Sequence, residues 1–344
     1  MIKGKGLLMV SIFLFVLAVV VYGETEANAK KPKKAVVEKV ASPLEVVNDV
    51  PNAMDENVPF IAIAPEVPDE IEFCGNKIDL TRIDMRERFD RELMAMVYMH
   101  TSSLTLLKRA NRYFPMIEPI LKDSGIPDDI KYLACIESTL SPIAISSAKA
   151  VGLWQFMPET AKQYGLEVSG DVDERYNVKK ETAAACKYLK DAYAKYSDWP
   201  SACASYNIGT NRITLELQRQ GVATGLDLWL VEETSRYVFR ILACKEFLTH
   251  PKKYGYYIRK DQLYQPIECK DTVITGRVPN WIDFAKQQGI NFYDLKYCNS
   301  WIRNDSLPNL EMKSYNVSIP LKESLNFNKK KLTVHQDAWV IDPN

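Results

Sequence analysis

The sequence predicts a mainly α-helical protein that ends in a small α+β module, and three observations carry that expectation. Apolar residues between Thr81 and His250 recur at helical spacing, alternating strand patterns are missing from that stretch, and beyond Gly255 the order reads strand, helix, helix, strand. With 344 residues and 47% hydrophobic content, the chain can bury a sizeable core and build one to three domains. Lys plus Arg and Asp plus Glu each total 44, so the net charge of zero gives no electrostatic reason to expect a nucleic-acid partner.

Residues 1–29 read as a signal peptide. Lys3 and Lys5 make a basic start, Leu7 to Tyr22 an apolar run, and Ala27-Asn28-Ala29 or Val21-Tyr22-Gly23 a place for cleavage. The run is shorter than the roughly 20 apolar residues that span a bilayer, so export to the periplasm or cell envelope is expected, with an uncleaved anchor as the alternative. No cysteine lies near the cleavage region, which leaves a lipoprotein anchor without an attachment point, while peripheral association with membrane or wall stays open. Residues 30–75 alternate Lys, Glu, Val and Pro without periodicity and read as a spacer.

A helical domain is expected over residues 76–252. Phe89, Leu93, Met96 and Val97 share a face, as do Ile117, Ile120 and Leu121, then Tyr188, Leu189, Ala192, Tyr193 and Tyr196, then Tyr237, Ile241, Cys244 and Leu248. The informative helix begins after Gly125-Ile126-Pro127 and ends near Ser138, with proline near its first turn and Asp128 and Asp129 against the positive end of the dipole. Within it Ile130, Leu133, Ala134 and Glu137 fall at i, i+3, i+4 and i+7, so one carboxylate shares the face that enters the core. Desolvation raises a carboxyl pKa, and the negative end of the helix dipole acts in the same direction. A carboxylic acid that keeps its proton near neutral pH suits protonation of a leaving oxygen. The alternative for Glu137 is a carboxylate at the core edge, paired with a lysine or arginine.

Other chemistries find little support. The seven cysteines (74, 135, 186, 203, 244, 269 and 298) are scattered and form no CxxC pair, and the three histidines make no ligand spacing, so neither a metal nor a cofactor is expected. Cys186 and Cys203 are candidates to pair across neighbouring helices in an oxidising compartment.

The text after Glu137-Ser138-Thr139 places Ser146 nine residues on, then Gly152-Leu153-Trp154-Gln155-Phe156-Met157-Pro158. It resembles the signature of goose-type lysozymes and lytic transglycosylases of glycoside hydrolase family 23, and the Trp154 version is similar to the membrane-bound lytic murein transglycosylase D type. Asp173-Glu174-Arg175-Tyr176-Asn177, Ala204-Ser205-Tyr206-Asn207-Ile208-Gly209 and Glu233-Thr234-Ser235-Arg236-Tyr237-Val238 follow in the family's order, and Arg112 to Leu121 precedes. The resemblance covers about residues 80 to 250, roughly half the chain.

What the resemblance implies is a lysozyme-like all-helical catalytic domain over 76–252, acting on peptidoglycan glycan strands at the β-1,4 bond between N-acetylmuramic acid and N-acetylglucosamine. Glu137 would act as general acid and then as base, taking the proton of the muramyl C6 hydroxyl as it closes a 1,6-anhydro ring. One carboxylate then suffices where ordinary retaining or inverting hydrolases use two. Ser146, Gln155, Met157, Tyr206, Asn207, Glu233 and Tyr237 carry over as substrate contacts. Each has a second reading: Ser146 shapes its loop, Met157 and Tyr237 are core, and Glu233 favours its helix N-terminus. Asp173 and Arg175 are expected to make a structural turn or ion pair. Lys149 departs from a glycine common in the family, which is costly if that position needs positive φ. Two other functions stay open, a goose-type lysozyme that uses water and a non-catalytic peptidoglycan-binding protein.

Residues 253–344 read as the α+β module: a strand near Asp271-Thr272-Val273-Ile274, helices at Trp281 to Gly289 and Tyr293 to Asn299, and a strand at Tyr315 to Pro320. This order resembles a degenerate LysM module, which implies wall-glycan binding; the alternative is a packing extension that buttresses the catalytic domain. A monomer is expected, because the helical core can consume every apolar stripe.

Overall fold

The computed structural model describes residues 63–342, so the predicted signal peptide and most of the spacer lie outside the described residues. The described chain opens on an antiparallel hairpin, β1 (Glu70–Phe73) and β2 (Asn76–Asp79), with Ile71 opposite Ile78. Cys74 and Gly75 connect the strands at φ 51° and 82°, the positive-φ pair whose twist suits a two-residue turn. This hairpin straddles the spacer boundary expected at residue 75, and Ile71, Phe73, Ile78 and Leu80 are buried in the main core. Four-residue strands hold too little alternation to stand out from a Pro-rich stretch.

Helices follow: α1 (Ile83–Tyr98), α2 (His100–Asp123), α3 (Lys131–Ser138), α4 (Pro158–Gln163), α5 (Val178–Tyr196), α6 (Trp199–Ile208), α7 (Thr210–Gln220) and α8 (Glu232–Thr249). The informative helix begins later than expected. Asp128–Ile130 form a separate 3-10 turn after Pro127, and α3 takes over at Lys131. Its partners are α2 and α8, while α5 packs between α2 and α6. Asn177 caps α5 by accepting from the Lys180 N–H, and Asp198 caps α6 through the Ser201 N–H. The periodic apolar residues read from the sequence supply the core: Phe89, Leu93, Ile117, Leu189, Ile241 and Cys244 are all buried.

The C-terminal unit is β3 (Cys269–Ile274), α9 (Trp281–Gln287), α10 (Phe292–Cys298) and β4 (Tyr315–Pro320), with β3 and β4 antiparallel. Its own apolar core, centred on Trp281, Leu295, Trp301 and Val317, also takes in Val151, Val172 and Tyr176 from the helical domain. Main-chain bonds join the two: Asp173 N–H donates to Trp301 O at 2.9 Å, and Arg303 N–H to Asp171 O at 2.8 Å. Residues 253–344 are not one contiguous module, however. Tyr256, Ile258, Leu263, Trp339 and Val340 belong to the main helical core, and Trp339 Nε1 donates to Leu248 O at 2.7 Å. The compact unit is therefore the stretch from β3 to β4, enclosed by segments that return to the helices. The cysteine pairing considered above is not formed, since Cys186 and Cys203 are both free thiols buried in the helical core.

Candidate active site

Glu137 sits one residue before the end of α3, and Thr139 closes the helix in the left-handed conformation at φ 52°. Ile130, Leu133 and Ala134 on the same face are fully buried, but Glu137 itself is only half-buried, at the edge where that face meets solvent. Desolvation pushes its carboxyl up to about 7. A hydrogen bond from the Tyr237 hydroxyl to Oε1 and the charge of Arg240 oppose that rise, and the charge of Glu233 adds to it. The three opposing or assisting groups lie on α8 at positions 233, 237 and 240, a helical stripe facing α3. Arg240 was not singled out from the sequence, although its spacing from Tyr237 puts it on that stripe. Its Nη2 also donates to Ile136 O at 3.3 Å.

Beside the end of α3, where Ser138 touches it, runs the Gly152–Met157 loop, and most of its backbone groups are hydrogen-bonded. The N–H groups of Leu153 and Trp154 donate to the two oxygens of Glu181 at 3.0 and 3.2 Å. Leu153 O accepts from Ser138 Oγ at 2.9 Å, and Trp154 O from the Tyr206 hydroxyl at 2.9 Å. The Trp154 indole donates to Thr182 at 2.9 Å. A glycine is required at 152: φ is 91°, and a Cβ there would stand 2.0 Å from Arg175 O and 2.3 Å from Glu181 Oε2. Arg175 clamps the same loop. It pairs in a two-pronged contact with Asp173, at 2.9 and 2.7 Å, and donates from Nη1 to Lys149 O and Phe156 O, each at 3.2 Å. The Asp173–Arg175 pair is thus structural, as expected.

Glu181, which the sequence reading missed, holds this loop from α5. It is fully buried in the first turn of α5, and desolvation raises its carboxyl against the two N–H groups that favour the anion. In the sequence it looks like any acidic residue at a helix start.

The remaining predicted site residues are placed unevenly. Tyr206 packs edge-on against Phe156 and Tyr188, and burial and the nearby charge of Glu137 both raise its phenol. Gln155, at φ 51°, donates from Nε2 to Gly152 O at 2.8 Å and Ala144 O at 3.3 Å, so its amide braces the loop. Ser146 Oγ accepts from the Ala150 N–H at 3.0 Å and closes a turn. Met157 is 44% exposed at the start of α4, while Asn207 and Glu233 stand in solvent. Lys149 does occupy a positive-φ position, at 66°.

Comparison with known proteins places two segments of the chain. Residues 115–225 match the Transglycosylase SLT domain, and residues 270–323 match the soluble lytic transglycosylase C-terminal LysM-like domain. The chain therefore carries an SLT transglycosylase domain of the all-helical kind, with a LysM-like unit behind it. It is 31% identical over 176 residues to membrane-bound lytic murein transglycosylase D of Escherichia coli, covering 50% of this chain and 38% of that protein. It is also 29% identical over 118 residues to a putative tributyltin chloride resistance protein of an Alteromonas species, covering 33% of this chain and 57% of the other. The chain thus spans less than two thirds of each of these relatives. The 70 kDa soluble lytic transglycosylase of Escherichia coli aligns over 47% of this chain and 29% of its own, at 21% identity and a TM-score of 0.38.

Proposed function

We propose that this protein is an exported peptidoglycan lytic transglycosylase of glycoside hydrolase family 23, with Glu137 as its one catalytic carboxyl group. One observation carries the reading: a half-buried glutamic acid, its carboxyl raised to about 7 and contacted by a tyrosine hydroxyl, at the edge of an SLT domain. Protonated, Glu137 donates to the departing glycosidic oxygen, and the muramyl sugar passes through an oxocarbenium-like state. The carboxylate left behind is stabilised by the Tyr237 hydroxyl and the Arg240 charge. It then takes the proton of the muramyl C6 hydroxyl as that oxygen closes onto the anomeric carbon, which restores the acid and leaves a 1,6-anhydro end. Ser146, Gln155, Met157, Tyr206, Asn207 and Glu233 are assigned to sugar contacts or to the shape of the loop that makes them.

Placement in the periplasm or cell envelope is supported by the similarity to a membrane-bound lytic murein transglycosylase. No helix among the described residues is long and apolar enough to cross a membrane. Mass analysis of digests of purified wall tests the reading. The wild-type chain should release fragments with anhydro ends, and Glu137→Gln should lower release by about 100- to 10,000-fold. Release by Glu137→Gln at the wild-type rate removes the catalytic assignment. Ends heavier by one water make the protein a lysozyme.

A further inference from the structure

Among the described residues, two pairs of cysteines meet through a thiol–thiol hydrogen bond: Cys135 of α3 with Cys244 of α8, and Cys269 of β3 with Cys298 of α10. They differ in access. Cys135 and Cys244 are sealed in the helical core, at 3% and 0% exposed, whereas Cys269 and Cys298 are half-buried and both line a cavity of about 380 Å³. A small disulfide can reach the second pair and not the first.

The fold holds that second pair from two sides. Cys269 opens β3 opposite Pro320 of β4, and Asn299, next to Cys298, is tied to the same strand: it accepts from the Ser318 N–H at 2.8 Å and donates to Ser318 O at 2.7 Å. β4 thus anchors both cysteine-bearing elements. Arg112 of α2 grips them from the helical domain, with Nε donating to Gln265 O at 2.8 Å, shortly before Cys269, and Nη1 to the Tyr297 hydroxyl at 2.7 Å, beside Cys298.

The two thiols are not equivalent. The hydrogen bond from Cys298 holds the Cys269 thiol below its usual range, helped by the charge of Lys179 and opposed by burial and the charge of Asp271. The same bond and burial push Cys298 up. Because the thiolate is the attacking species in disulfide exchange, Cys269 is placed as the nucleophile and Cys298 as its resolving partner.

We infer that Cys269 and Cys298 form an intrachain disulfide that staples β3 to α10. The oxidant is a small-molecule or protein disulfide of an oxidising compartment, the one point at which this assignment rests on the export proposed above. The Cys269 thiolate attacks one sulfur of that disulfide and expels the other as a thiolate. Cys298 then gives up its proton and attacks the Cys269 sulfur of the mixed disulfide, expelling the second thiolate. The pair loses two electrons and two protons, and the oxidant leaves as two thiols. Closure joins the two segments that Arg112 holds, which fixes the C-terminal unit against α2.

The reduced full chain, exposed to oxidised glutathione, trapped with N-ethylmaleimide in denaturant and mapped by mass spectrometry, tests the pair. Peptides bearing Cys269 and Cys298 should appear joined, while Cys135 and Cys244 carry the alkyl group. In the native reduced chain Cys269 should react with iodoacetamide at least about tenfold faster than Cys135 or Cys244. With Cys298→Ser, glutathione should stay on Cys269 as a mixed disulfide, and with Cys269→Ser none should collect on Cys298. The oxidised chain should unfold at a higher urea concentration than the reduced one, a gap that the doubly substituted chain loses. Alkylation of both cysteines after oxidation, or linkage of either to a different cysteine, overturns the staple, and that reading uses the wild-type chain, so a variant that fails to fold does not shelter the idea. Trapping the chain directly in the cells that make it separates this inference from the proposed function. Free Cys269 and Cys298 there would overturn the staple in the living protein and leave Glu137 its role; linkage in a chain that releases no anhydro ends would keep the staple and remove the proposed function.

Discussion

Glu137 and Glu181 invite comparison, because burial raises the carboxyl of both and each lies in a terminal turn of its helix. Glu181 is sealed: its two oxygens accept the Leu153 and Trp154 N–H groups, and no side of it meets solvent. Glu137 is half-open, and it accepts from the Tyr237 hydroxyl, a donor that another can replace or supplement. Desolvation alone does not make a catalytic acid. Access and unfilled acceptor capacity separate the one that can meet a substrate from the one that holds the loop to meet it.

That contrast is broken most severely at Glu181. Glu181→Ala leaves two buried N–H groups without acceptors and should cost about 3–5 kcal/mol in urea unfolding, whereas Glu181→Gln keeps one acceptor and should cost about half. A loss under about 1 kcal/mol for the alanine variant would show that the loop does not depend on the clamp.

Glu137 should behave in the opposite sense. Between the ordinary 4.5 and about 7, the unfolded glutamate ionises while the folded one keeps its proton, so the native wild-type chain loses stability as pH rises through that window. Glu137→Gln removes the titration. It should be more stable than wild type at pH 8 by at most about 3 kcal/mol, less for solvent screening at a half-buried site, and indistinguishable in this respect below about pH 4. Thermal unfolding at the two pH values checks the sign. The same proton should set the alkaline limb of the activity, which falls as pH rises through 7.

Tyr237→Phe sharpens the picture further. The hydroxyl stabilises the ionised carboxyl, so its loss should shift that alkaline limb to higher pH and lower turnover by about tenfold, as a pH–rate profile of both proteins would reveal. The smallest effect belongs to Lys149, held at φ 66° in the loop. Lys149→Gly should stabilise the fold by about 1 kcal/mol with activity little changed, and a destabilised variant would mean that the lysine side chain is needed where it lies.

The helical domain and the β3–α9–α10–β4 order were legible because each rests on local periodicity: Phe89 to Val97, Tyr237 to Leu248, and a strand pattern on either side of two short helices. Glu137 was legible for the same reason, since three apolar partners at helical spacing define its face. What escaped depends on contacts distant in sequence. Glu181 is 27 and 28 residues from the amides it accepts, and nothing in its own turn distinguishes it from a dipole-favoured acid. Lys131 is buried by a bond to Glu118 at 2.7 Å and by the Phe114 and Tyr132 rings, a fate that lysine composition argues against. The β1–β2 hairpin was hidden by brevity, and its turn, Cys74-Gly75, lacks the Asn or Asp that usually announces one.

The return of Trp339 and Val340 to the helical core has a consequence in time as well as in space. A chain emerging residue by residue must make the whole β3–β4 unit before the last wedge of the helical core exists, so contacts such as Trp339 to Leu248 close a loop of 91 residues. Such late, long-range closure slows folding and leaves the helices unfinished during synthesis. The helical core would thereby acquire its final shape only after nearly all of the described chain has been delivered.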